Sequence, residues 1–138
     1  MKTADEGLTM RQYLYISTAR NLSLRDVEKI VAQSERKNAE RGIGGFLVFN
    51  GANFLQVIEG QRDALDRLMA DLADDPRHNG IVRLADIAPP QAVFTGWRMR
   101  SFAAEDSPSI RRFALGTELP AALDPALREM VLNFAKLN

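Results

Sequence analysis

The sequence predicts an α+β domain of ferredoxin-like type, ordered β-α-β-β-α-β with one further strand. Three observations carry that reading. Short β-rich runs alternate with segments whose apolar residues fall at helical spacing. Asn50-Gly51 stands between two apolar runs, which is a strong hairpin signal. Each helical segment lies between two strands, and right-handed crossovers put both helices on one face of a mixed five-stranded sheet.

The elements follow in order. Arg11 to Ser17 (RQYLYIS) is the first strand, with Leu14 and Ile16 on one face and Tyr13 and Tyr15 on the other. Ser23 caps the first helix, with Asp26 three residues on. Val27, Ile30, Val31 and Ser34 form its inward stripe, and Asn38 continues that stripe. Gly42 ends the helix. GGFLVF and FLQVIEG are the hairpin strands. Leu65, Leu68, Met69 and Leu72 mark the second helix, closed by Pro76. GIVRLADIA is the fourth strand, Pro89-Pro90 punctuates, and VFTGWRMRSF is the fifth. In the tail, SPSIRRFALG reads as a short helix ending at Gly116. DPALREMVLNFAKLN reads as a helix with an Asp cap and Pro at its first position.

The first three strands are apolar on both faces, and two helices cover only one. The tail stripe of Leu127, Met130, Val131 and Phe134 is therefore expected on the back of the sheet or in a dimer interface. The boundaries that follow are an N-terminal extension at 1–10, a core domain at 11–102 and a helical extension at 103–138.

Composition narrows the function. The chain has 138 residues, and its 18 basic and 18 acidic residues cancel, so nothing resembles a footprint for nucleic acid or an anionic membrane. It has no cysteine, which removes disulfides, thiolate metal sites and cysteine–flavin adducts. The single histidine, His78, cannot build a multi-histidine metal site. No run approaches the ~20 apolar residues that span a bilayer. The first residues lack a signal-peptide core, so a soluble cytoplasmic protein is expected.

A few polar residues break the apolar pattern. Gln56 lies between Phe54 and Ile58 on one strand face, and a buried amide without partners costs on the order of 1–3 kcal/mol. In a ferredoxin-like sheet the first and third strands are neighbours, so Tyr15 and Gln56 can meet on the helix side, where Asn38 also points. Three uncharged hydrogen-bonding groups in an apolar pocket suit a flat heteroaromatic ligand with carbonyls and ring nitrogens. They suit general acid–base catalysis less well. Taken singly, each has a plainer reading. Tyr15 is a strand aromatic, Asn38 a helix-end residue, Ile30, Trp97 and Met99 core, and Arg77-His78 a solvated loop.

Their joint order carries more. YLYIS, KNAERGIGGFLVF, FLQVIEG, DDPRHNGI and FTGWRM resemble, in sequence and spacing, the sensors of blue light using FAD, the BLUF family, from about Arg11 to Phe102. The resemblance implies a photoreceptor, not an enzyme, that holds FAD non-covalently, with FMN or riboflavin as substitutes. Tyr15 and Gln56 then lie beside the reactive nitrogen and carbonyl edge of the flavin. Asn38 binds the opposite polar edge, Ile30 packs on the ring, and Arg77 approaches the polar edge with Asp75 nearby. Trp97 and Met99 match the pair implicated in relaying the signal. Two positions depart from the common pattern: Lys37, where Asn or His is frequent, and Gly44, where Thr is frequent. Lys37 is placed to reach a flavin carbonyl or a phosphate. The chain resembles the short family members, which act through a separate downstream protein or a change of homo-oligomer. The competing readings are a flavin-dependent redox enzyme and a flavin-free interaction module on the same fold.

Overall fold

The computed structural model describes residues 9–18, 22–76, 79–94, 100–103 and 115–135. The strands are β1 (Met10–Thr18), β2 (Gly44–Phe49), β3 (Asn53–Gln61), β4 (Asn79–Ile87) and β5 (Arg100–Ala103). The helices are α1 (Leu24–Arg41), α2 (Arg62–Ala73) and α3 (Pro125–Ala135). Four strands pair antiparallel in the order β4-β1-β3-β2, and β5 joins the outer edge of β2 in parallel. This is the interleaved order expected of two β-α-β units.

Local chemistry sets the element ends. Ser23 and Asp26 form a reciprocal capping box at the start of α1, and Gly42 closes it in the left-handed conformation. The β2–β3 turn is held by Asn50, whose Oδ1 accepts from the amides of Ala52 (3.1 Å) and Asn53 (2.9 Å). Within β2, Gly45 is obligatory. Its φ is +151°, and a Cβ there would stand 2.0 Å from the Val57 carbonyl oxygen. Asp124 caps α3 through the amides of Ala126 and Leu127.

The sheet is covered on both faces. On one, α1 sets Val27, Ile30 and Val31 against Leu47, Phe49 and Phe54. Beside it, α2 sets Leu65 and Leu68 against Tyr13, Tyr15 and Ile58. On the other, Leu127, Val131 and Phe134 of α3 pack with Leu14, Phe46, Val48, Leu55 and Val57, while Met130 and Ile16 join at the margin. The tail stripe thus occupies the place the two-faced strands required. No helix among the described residues is long and apolar enough to cross a membrane.

Three boundaries differ from expectation. The second helix follows β3 without a loop, because Gln61 ends one and Arg62 starts the other. The helical turn at 115–118 runs through Gly116, since the Leu119 amide still reaches the Leu115 carbonyl at 2.9 Å. The expected fifth strand, Val93 to Phe102, is described at Arg100–Ala103, and 95–99 lie outside the described residues. Val93 and Phe94 are not in it, because their amides bind the carboxylate of Glu59 at 2.9–3.0 Å and leave the ladder.

Glu59 is a structural knot. It is 5% exposed, on the back face of β3. Besides the two amides it accepts from Gln12 Nε2 on β1 at 2.7 Å. A charge taken from water is tolerable here because both its oxygens are hydrogen-bonded. We predict that Glu59→Gln costs about 2–3 kcal/mol, because an amide turned toward these donors leaves one of them opposed. Denaturant unfolding together with faster hydrogen exchange at the Val93 and Phe94 amides checks it; unchanged exchange refutes it. Leu127→Ala, which opens a cavity under α3, should cost about 2–5 kcal/mol by the same unfolding measurement. A loss below about 0.5 kcal/mol would mean that α3 does not close the back face.

Candidate functional site

The site begins with strand register. Tyr15 on β1 stands directly opposite Gln56 on β3, with Leu47 of β2 beyond it. Paired residues share a face, so the three form a row beneath the helices. The pairing of β1 with β4 shifts between Leu14 and Tyr15, and Tyr15 lies across from Arg83. Such an irregularity re-aims the side chain where it falls.

Two tyrosines on this face of β1 meet different fates. Tyr13 donates to Asp66 Oδ1 at 2.6 Å, and Arg83 lies 4.7 Å above its ring. Burial first, and the bond to Asp66 second, raise its pKa. Tyr15 is 1% exposed, and its hydroxyl has no hydrogen-bond partner among the described residues. Burial pushes that hydroxyl well above the ordinary tyrosine value, so it keeps its proton. A buried donor left unmet costs on the order of 1–3 kcal/mol. The fold carries that cost where a bound acceptor would remove it.

Gln56 and Asn38 are buried in the same layer. The atoms Gln56 Oε1 and Asn38 Oδ1 accept nothing from the described residues, while both residues make other interactions. The Asn38 main-chain carbonyl is occupied, receiving the Ile43 amide at 2.8 Å beside the Gly42 cap.

A cleft opens between α1 and α2. Ile30, Lys37 and Asn38 line it from α1, and Asp75 lines it from the segment after α2. Lys37 is exposed and Asp75 half-buried at this opening. At its edge Asp71 is neutralised by Arg41 at 2.6 Å. The candidate residues therefore fall into two adjoining groups. Ile30, Lys37, Asn38 and Asp75 share the cleft, whereas Tyr15 and Gln56 pair in the sheet on the face the helices cover. Arg77, Trp97 and Met99 lie outside the described residues.

Sequence reasoning placed Ser34 on the inward stripe of α1 but did not assign it to the site; it lines the cleft. It also gave no task to Glu59, although a carboxylate inside an apolar strand was a visible signal. The arrangement supplies neutral donors and acceptors at Tyr15, Gln56 and Asn38, with charge from Lys37 and Asp75 at the opening of the cleft. It fits a flat ring with carbonyl and nitrogen edges, such as a flavin. Among the described residues no three His, Cys, Asp or Glu side chains are grouped as metal ligands.

Known proteins share this architecture. The dark-state structure of BlrB, a BLUF protein, superposes with a TM-score of 0.72 at 28% identity, covering 93% of this chain and 98% of that one. Klebsiella pneumoniae BlrP1 with FMN and cyclic diGMP matches at a TM-score of 0.80 and 25% identity, over 92% of this chain and 34% of that one. In sequence, the photoactivated adenylate cyclase subunit beta of Euglena gracilis is 29% identical over 100 residues, 70% of this chain and 12% of that protein. The blue light- and temperature-regulated antirepressor BluF of Escherichia coli (strain K12) is 34% identical over 67 residues, 48% of this chain and 17% of that protein. The chain thus spans only a small part of these curated relatives. The family model of the sensors of blue-light using FAD matches residues 10–100. With that match over most of its length, the chain belongs to the BLUF family.

Proposed function

We propose that this chain is a blue-light photoreceptor whose flavin is FAD, held without a covalent bond at the α1–α2 cleft and the Tyr15–Gln56 row. Residues 11–102 form the sensor, and 103–138 form the extension through which its state is passed on. Asn38 and Lys37 hold polar edges of the ring system, Ile30 packs on it, and Asp75 and Arg77 flank it. The output is a separate partner protein or a change of homo-oligomer in the cytoplasm, and the chain does no catalysis of its own. The observation that carries this reading is the buried Tyr15 hydroxyl beside Gln56, which has no hydrogen-bond partner among the described residues.

When bound, flavin supplies absorption of blue light and a strong oxidant in its excited state. The chain's residues supply the rest. Tyr15 holds a proton on its phenolic oxygen at every ordinary pH, and as a phenol it is able to give an electron and that proton. Gln56 carries a donor at Nε2 and an acceptor at Oε1. Turning that amide, or shifting its tautomer, exchanges what it offers to each side. Leu47 and Ile58, both wholly buried, keep water from competing for those bonds. Trp97 and Met99 take the rearrangement toward the tail.

The deciding experiment irradiates the purified, flavin-loaded protein and records its spectrum. A red-shifted spectrum that recovers in the dark supports the sensor. Bleaching sustained by a nicotinamide donor would replace it with a redox enzyme, and a protein that takes up no flavin would leave an interaction module.

Tyr15→Phe and Gln56→Leu should each abolish the reversible shift while flavin stays bound. The first removes only the hydroxyl and the second only the amide. A normal photocycle in either variant would end this mechanism. Asn38→Ala should mainly weaken flavin retention, by about 1–2 kcal/mol or roughly 5- to 30-fold. Equal flavin loading after gel filtration would show that Asn38 does not hold the ring.

A further inference from the structure

A second cavity lies on the opposite face of the sheet, away from the cleft. Its volume is about 250 Å³. Gln12 of β1 and Ile87 of β4, which are register partners, form part of its wall. Pro89, Pro90 and Val93 come from the connection after β4, and Pro125 starts α3. The lining is apolar apart from Gln12 and the capping residue Asp124, whose Oδ2 is occupied by the first amides of α3.

Gln12 is wholly buried, and its Oε1 has no hydrogen-bond partner among the described residues. Its orientation is forced. Nε2 donates to Glu59 Oε2 at 2.7 Å, and Glu59 also accepts the Val93 and Phe94 amides. An ionised carboxylate only accepts, so the amide cannot flip without setting oxygen against oxygen. One fixed, unpartnered acceptor therefore belongs to a residue that lines an apolar cavity large enough for a single compact ring.

We propose that this cavity is a small-molecule site, separate from the flavin cleft, for a compact aromatic molecule bearing a single N–H or O–H donor. The ring fills the space between the two prolines and Ile87, and the donor meets Gln12 Oε1. The lining has no cationic side chain, and its one carboxylate, Asp124, is engaged at the cap of α3, so the ligand is neutral. An occupant bridges the loop that Glu59 anchors to the first turn of α3. Chemical occupancy is thereby placed to stiffen the element that closes the back of the sheet.

The test titrates the full, flavin-loaded chain with indole and with indene, its near-isostere lacking the N–H, by calorimetry. The flavin absorption band is followed to show that neither probe displaces the cofactor. Indole should bind saturably, and indene about 3- to 10-fold more weakly, the range expected of one hydrogen bond. Ala122→Trp, at an exposed lining position, adds bulk to the cavity while leaving Gln12 and Glu59 unaltered in sequence, and should abolish binding while flavin stays loaded. Pro90→Trp is a second filling variant. No saturable binding would mean that the cavity holds only water. Equal affinity for the two probes, or binding that survives in both filling variants, would equally overturn the proposal.

Discussion

The constraint on which this structure rests is a set of central strands that bury both faces. Tyr13 and Leu14 of β1, Leu47 and Val48 of β2, and Val57 and Ile58 of β3 are all fully buried although they alternate sides. Such a sheet is stable only with a layer on each face. The crossover geometry puts α1 and α2 together on one side and leaves the other bare. α3 and the turn at 115–118 answer that need, with Leu115, Leu127 and Val131 buried in the same cluster as Leu14 and Val57. The sensing face and the tail face are thus the two sides of one layer of strands. A change in register or side-chain size in β1 or β3 is felt on both.

Polar groups inside such a layer are expensive, and the molecule handles them in two ways. Glu59 is fully engaged, with amides on one side and Gln12 on the other, and it fixes where the chain leaves β4 and heads for β5. Tyr15 is buried as deeply but its hydroxyl is unmet among the described residues. Full satisfaction gives rigidity, and an unmet group gives affinity for something else. That contrast separates scaffold from site more sharply than burial does, since the two residues differ by only a few per cent in exposure.

Much of this was legible in the sequence, for reasons that can be named. The alternation in RQYLYIS and FLQVIEG fixed the faces, and Asn50-Gly51 fixed the hairpin. Together they placed Tyr15 against Gln56, as the register has it. Ser23 with Asp26, and Asp124 with Pro125, announced helix starts through side-chain chemistry that acts within one turn. What escaped were features set by distant partners. The absence of Val93 and Phe94 from the fifth strand depends on Glu59, 34 residues before Val93. The shift beside Tyr15 depends on how β4 accommodates an extra residue, to which a period of two is blind. The cleft and the Gln12 cavity are spaces between elements, so no single run of sequence encodes them. Their lining residues, such as Ser34 and Pro89, look unremarkable in isolation.

The placement of β1 bears on how the chain comes into being. It lies between β3 and β4, so both its neighbours are made after it. Gln12 pairs with Glu59 47 residues later, and Arg11 with Asp86 75 residues later. Only β2 and β3 close a short loop. On a ribosome adding residues in order, β1 therefore waits with two unpaired edges and two apolar faces while most of the domain is synthesised. Long-range pairing of this kind slows folding and leaves strand edges open to other chains. The hairpin offers β1 its first partner, and β4 then closes the remaining edge. The nascent chain is thus most exposed to misassociation in the interval between the emergence of β1 and that of β4.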